Sequence, residues 1–201
     1  MLTDIAGDRP MVQSLPSIHK IPISLEAFLE MPETKPVSEW TAGEIIQKPI
    51  PKGKYSAVQS EFVATINAQL KRSKVARGFT ELRCTFGDRS TIPDISVFAW
   101  EHIVRDISGE VANVFNKAPD WTIEILSPAQ SQTKVVKNII HCLKHGTQMG
   151  WMIDPDDRTV LVYRPNQEIA IFDADEEMLP MPEFARSLQL TIGELFGWLT
   201  D

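Results

Sequence analysis

Cysteine is scarce in this 201-residue chain: Cys84 and Cys142 are the two present, and they stand apart with no CxxC spacing. That excludes a disulfide framework and a cysteine-based zinc site, and predicts buried free thiols, one on a strand and one on a helix. Long apolar runs are lacking too. None approaches the ~18–20 residues a membrane span needs, so no membrane partner is expected. The opening MLTDIAGDRP carries acids where a signal peptide has bases, and it has no apolar centre. Residues 1–20 therefore read as a flexible lead, and the protein as cytoplasmic. No repeat or low-complexity tract interrupts the chain. An excess of positive charge is also missing, because the formal net charge is −7. That total argues against a general nucleic-acid binder.

What is present is 43% hydrophobic and 23% charged residues, enough for one globular domain with a real core over residues 21–201. The charge is unevenly placed. Glu44–Arg89 holds nine bases against four acids, whereas Asp154–Asp201 holds eleven acids against three bases. The first half can face phosphates while the acidic end faces solvent; ordinary solvated charge explains the same counts.

SLEAFLEMPE reads as a short helix capped by Ser24 and ended before Pro32. A short strand over Glu44–Gln47 is stopped by Pro49 and Pro51. Tyr55–Leu70 is the clearest helix, with Val58, Phe62, Ile66 and Leu70 among its apolar positions. Strands are expected over Gly78–Phe86, Ile92–Trp100 and Trp121–Leu126. Val135–His145 predicts a second long helix with Gly146 as its C′ residue. GWMIDPDDRTVLVYRP reads as two strands joined through Pro155, Asp156 and Asp157, and Thr191 as the N-cap of a short last helix. A strand–helix–strand step implies a parallel pair and hairpins imply antiparallel ones, so the fold class is α/β (α+β), a mixed sheet flanked by helices.

Two strands carry acids that need an explanation. STIPDISVFAW opens its strand on Asp94, directly after Pro93, although Asp is depleted in strands. WTIEILSP places Glu124 inside an apolar strand, where an unpaired charge is expensive. Taken singly, Asp94 is a turn cap, Glu124 an ion-pair partner of Lys134 or Lys137, and Glu44 a solvated strand end. Taken together on neighbouring strands, Asp94 and Glu124 can point to one side. Mg²⁺ binds through one or two carboxylates plus waters and substrate phosphate. The carbonyl next to Glu124 completes such a shell, and Glu44 adds a third acid.

These same residues carry a family pattern. Pro93–Asp94 followed about thirty residues later by a hydrophobic strand holding Glu124 resembles the PD-(D/E)XK nuclease superfamily. More closely, the chain resembles the Uma-two family of restriction endonucleases, at SLEAFLEMPE, AGEIIQKPIP, TIPDISVFAW, IEILSPAQSQTKVVKNIIHCLKHG and GWMIDPDDRTVLVYRP. The likeness spans residues 22–196. It implies a single restriction-endonuclease-like domain and a Mg²⁺- or Mn²⁺-dependent DNA endonuclease. Asp94, Glu124 and Glu44 would be its metal-site acids, and Asp94, Glu124, Lys134 and Lys137 its catalytic set. The motif's lysine would fall at position 126, or on the next helix at 138; the residues there are Leu126 and Asn138. Lys134 lies one turn from Asn138 on the same face, and Lys137 beside it. Tyr55 stands where relatives often have histidine. Gln59, one turn on, either hydrogen-bonds near the site or faces solvent, and Lys52, Lys54, Lys71 and Arg72 would line the DNA. Cutting both strands would favour a homodimer.

Two other classes fit the same residues. One is a nuclease fold that has lost efficient turnover and serves as a binding module. The other is an interaction protein whose acids merely pair with Lys134 and Lys137.

Overall fold

The computed structural model describes residues 22–128 and 130–200; the lead over residues 1–20 lies outside them. The chain begins with helix α1 (Leu25–Leu29), whose N-cap Ser24 accepts from the Ala27 amide. A hairpin of β1 (Ser38–Thr41) and β2 (Glu44–Gln47) follows, then α2 (Gly53–Ile66), which runs on as a π-helical segment through Lys71. Next come β3 (Ala76–Thr80), β4 (Cys84–Phe86), β5 (Arg89–Thr91), β6 (Ile95–Ala99) and β7 (Trp121–Ile125). Helix α3 (Gln132–Lys144) leads to β8 (Met149–Asp154), β9 (Thr159–Tyr163), β10 (Ala170–Phe172) and a last helix α4 (Ile192–Gly197). Thr191 caps α4 with a reciprocal capping box to Glu194.

The strands form two sheets. A six-stranded mixed sheet has the order β10-β9-β8-β7-β6-β3, and a four-stranded sheet the order β2-β1-β5-β4. Among the paired strands only β7 and β8 run parallel, joined through α3 as the strand–helix–strand pattern requires. Two expected strands divide. Gly78–Phe86 breaks at Glu81, a residue with φ of 48°, so β3 joins the large sheet and β4 the small one. Ile92–Trp100 breaks at Ile92–Asp94 for a related reason: the chain leaves the small sheet after β5 and enters the large one at β6. Proline at 93 suits that crossing because no ladder amide is needed there.

The large sheet is buried on both faces. On one, α2 and α4 bring Val58, Phe62, Ile66, Leu195 and Phe196 onto Val97, Trp121, Ile123 and Trp151. Phe62 stacks on Trp151 at 5.5 Å and meets Trp121 edge-on at 5.6 Å. On the other face, α3 sets Val135 and Ile139 against Leu126, Met152 and Tyr163. Alternation along β7 therefore sends Ile123 and Ile125 towards α2 and Glu124 towards α3. Both cysteines are free and buried, as the sequence predicts. Among the described residues, no helix is long and apolar enough to cross a membrane.

Candidate active site

Strands β6 and β7 run antiparallel with Ile95 opposite Ile123, so the next step of that register sets Asp94 opposite Glu124. Both side chains are buried, at 0% and 1% exposure. Asp94 is held by its neighbours: Oδ2 accepts the Ile125 amide at 2.7 Å, and its carbonyl accepts from Gln59 Nε2 at 2.8 Å and from the Glu81 amide at 3.2 Å. The two carbonyl bonds fix the backbone at Asp94, and the Ile125 amide orients its carboxylate.

The cation beside these acids is Lys48, the residue after β2. Its ammonium donates to Asp94 Oδ1 at 2.5 Å, to Glu124 Oε2 at 3.2 Å and to the Ile92 carbonyl at 2.8 Å. Burial would lower the Lys48 pKa, but Asp94, Glu124 and Glu39 more than offset it and hold the ammonium well above its usual value. Glu124 is pushed up by burial; Lys48 pulls it down, and the Asp94 and Glu39 charges push it up again, for a net rise. Its Oε1 is buried and has no hydrogen-bond partner among the described residues.

Glu39 on β1 is the third buried acid. Its Oε1 accepts from the Thr91 hydroxyl at 2.8 Å and the Ile92 amide at 2.7 Å, and its Oε2 from Asn138 Nδ2 at 3.0 Å. The cluster thus formally sets three carboxylates against one ammonium. Tyr55, at the start of α2, lies beside Asp94, and burial together with that charge raises its phenol pKa well beyond reach. A cleft of about 660 Å³ opens here, with Lys48, Pro49, Ile50 and Tyr55 in its wall and Glu33, Lys35, Glu81 and Gln130 around it.

Of the residues singled out from sequence, Asp94, Glu124, Tyr55 and Gln59 come together. Gln59 faces Asp94 rather than solvent. Glu44 does not join them: it is exposed beside the β1–β2 turn, paired with Thr41, and Glu39 takes the buried place on that hairpin. Lys134 and Lys137 are exposed on α3, and it is Asn138 that reaches the cluster. The acids pair with Lys48 instead. Lys52 is exposed at the entry to α2, and Lys54 forms an exposed ion pair with Asp156 at 2.6 Å. Lys71 and Arg72 lie at the far end of the π-helical segment, past the roughly 16 Å of α-helical rise from Tyr55 to Ile66.

Sequence reasoning missed Lys48 and Glu39. Strand β1 has four residues, too few for a clear alternation, and Lys48 lies just past the end of β2. The usable signal was electrostatic: two buried acids demand a buried cation.

The Uma2 family model, described as "Putative restriction endonuclease", matches residues 25–193. This chain belongs to the Uma2 family. A crystal structure described as a "putative nuclease belonging to DUF820", from Anabaena variabilis, superposes on this Uma2 chain with a TM-score of 0.87 at 63% identity, covering 89% of this chain and 99% of that one. A cryoEM structure of a DrdV–DNA complex matches with a TM-score of 0.32 at 12% identity, over 72% of this chain and 13% of that one, and carries no argument. No curated protein matches. The fold of this Uma2 protein is thus the restriction-endonuclease-like one that its motifs imply.

Among the described residues, no group of three or more His, Cys, Asp or Glu side chains is spaced to hold a metal ion. The residues that would hold one are Asp94 and Glu124, whose strands set them opposite each other. Two adjacent carboxylates, one with an unpartnered buried oxygen, suit Mg²⁺ or Mn²⁺, which take oxygen ligands and often only one or two carboxylates.

Proposed function

We propose that this Uma2 protein is a Mg²⁺- or Mn²⁺-dependent DNA endonuclease with Asp94 and Glu124 as its metal-holding acids. The observation that carries this reading is the unpartnered Oε1 of buried Glu124, opposite Asp94 and next to a cleft large enough for a nucleotide segment. Bound between these acids, the ion would polarise the phosphodiester and acidify an attacking water. The net reaction joins the water oxygen to phosphorus, breaks the bond to the leaving sugar oxygen, and delivers one proton, directly or through solvent, to that oxygen. The protein's own part is placement. Ile125, Gln59 and Glu81 fix Asp94, while the β6–β7 register fixes Glu124 beside it.

A second reading, a nuclease-fold module without turnover, is favoured by one observation: Lys134 and Lys137 stay exposed, outside the bonds around the acids. Calorimetric titration of Mn²⁺ into wild type and Asp94→Ala, with cleavage of supercoiled plasmid alongside, separates the two. Binding lost in the mutant together with nicking by wild type supports the endonuclease. Binding without nicking of any DNA form supports the module. Equal binding by both proteins removes Asp94 from the site.

A further inference from the structure

Among the described residues, Lys48 is the one side chain that hydrogen-bonds to both metal-site acids, and it also forms part of the cleft wall. Its ammonium bridges Asp94 Oδ1 and Glu124 Oε2, two oxygens of the carboxylates that would hold the ion. We infer that Lys48 is the catalytic lysine of this site, alternating with the divalent ion for the two carboxylates and turning to the DNA phosphate when the ion is bound. This rests on the metal-site reading above.

Three observations carry it. One pair of carboxylates is shared: Lys48 holds Asp94 Oδ1 and Glu124 Oε2, and the free Glu124 Oε1 belongs to the same carboxylate, so an ion bound by these acids and the ammonium compete for them. The side chain has somewhere to go, because Lys48 borders the 660 Å³ cleft and its stem is a flexible four-carbon chain. Among the described residues no other ammonium bonds to Asp94 or Glu124: Lys134 and Lys137 are exposed on α3, and Asn138, at the family's lysine position, is committed to Glu39. An ammonium released from Asp94 and Glu124 into the cleft would meet phosphate oxygens next to the acids, and would stabilise the charge that builds on them during hydrolysis. Its partners after release are the phosphate alone. The proton stays on the lysine throughout, so Lys48 acts by charge and not by proton transfer.

Competition and catalysis make opposite demands on one substitution, and that is the test. Lys48→Met should bind Mn²⁺ more tightly than wild type in the absence of DNA, within the ~5–150-fold range usual for coupled sites. Its plasmid nicking should fall by about 100-fold or more, as expected when a preorganised cation at the phosphate is lost. Tighter binding with lost turnover supports the proposal. Unchanged Mn²⁺ affinity in Lys48→Met, while wild type binds, overturns the alternation alone. Absence of binding by either protein overturns the metal-site reading, and the alternation with it.

Removing Lys48 strands buried carboxylates, so the variant is expected to need the ion to fold; folding restored by Mn²⁺ but not by KCl supports the exchange of one cation for the other. Should it fail to fold under any condition, wild type itself decides. The side-chain ammonium resonance of Lys48, identified by its loss in Lys48→Arg, should shift when Mg²⁺ is added. A resonance unmoved at saturating Mg²⁺ overturns the proposal.

Discussion

At the scale of single residues, the acids of the site differ in how they are satisfied, and that difference assigns their roles. Glu39 has its bonds filled by Thr91, Ile92 and Asn138, whereas Glu124 keeps an oxygen free. Glu39 is therefore a brace: it ties β1, the β5–β6 crossing and α3 together, and it fixes the Ile92 residue whose carbonyl accepts from Lys48. Glu39→Gln keeps the shape but loses the charge that strengthens these bonds, and leaves an amide facing donors. Its unfolding free energy, read from urea melts, should drop by about 1.5–3 kcal/mol. A change within about 0.5 kcal/mol, the range of surface substitutions, would show that the carboxylate is not braced as described. Asp94 and Glu124 were legible from the sequence because an acid in or at an apolar strand is chemically out of place. Lys48 and Glu39 were not, because a lysine past a strand end and a glutamate in a four-residue strand have the same appearance whether buried or solvated.

At the scale of elements, the site depends on how closely α3 lies on the sheet. Gly150 on β8 makes that approach feasible: a Cβ there would stand 2.3 Å from Ile139 Cγ2. Gly150→Ala should push α3 outward and cost roughly 1–3 kcal/mol in a denaturant melt, as overpacking does. Because Asn138 rides on the same helix, the shift should also weaken its bond to Glu39. The C-terminal part of α3 is tied to the β4–β5 hairpin by His141, whose Nε2 donates to the Phe86 carbonyl at 3.1 Å and whose ring stacks on Phe86 at 4.8 Å. Burial, with Arg89, His145 and Lys144 nearby, lowers its pKa from 6.5 to about 4. The folded protein thus prefers neutral His141, while the unfolded chain takes up a proton between these values. Stability from this residue is present above pH 6.5 and is lost as the pH falls towards about 4. Melting temperatures of wild type should decline across that window more steeply than those of His141→Gln. Equal slopes would contradict the burial of the ring. The long helices, the parallel β7–α3–β8 unit and the final hairpin were readable from periodicity and turn residues. The divided strands were not, since a chain that changes sheets keeps its apolar alternation while its partners change.

At the scale of the whole molecule, the question is which positive charges a DNA strand would meet. The basic first half is not one surface. Lys52 and Lys54 sit at the start of α2 by a second cleft of about 220 Å³, formed with Leu126, Pro128, Pro155 and Asp156. Lys71 and Arg72 stand at the other end of that helix arrangement, beyond the start of the π-helical segment at Asn67. These four of the nine bases in Glu44–Arg89 therefore fall in two places, and only the first adjoins Tyr55. Lys54 already has a partner in Asp156, so Lys52 is the freer of the pair to meet a phosphate. The Lys52→Glu and Lys71→Glu/Arg72→Glu proteins test this in an Asp94→Asn background, which keeps the DNA uncut. Duplex binding is followed by fluorescence anisotropy from low to moderate salt. Loss of a phosphate contact lowers the slope of log affinity against log salt by about one. That loss is expected for Lys52→Glu, with the double variant keeping the wild-type slope. If the double variant alone flattens the slope, the duplex runs along the far end of α2, and the cleft beside Lys48 would receive at most a displaced end of the strand.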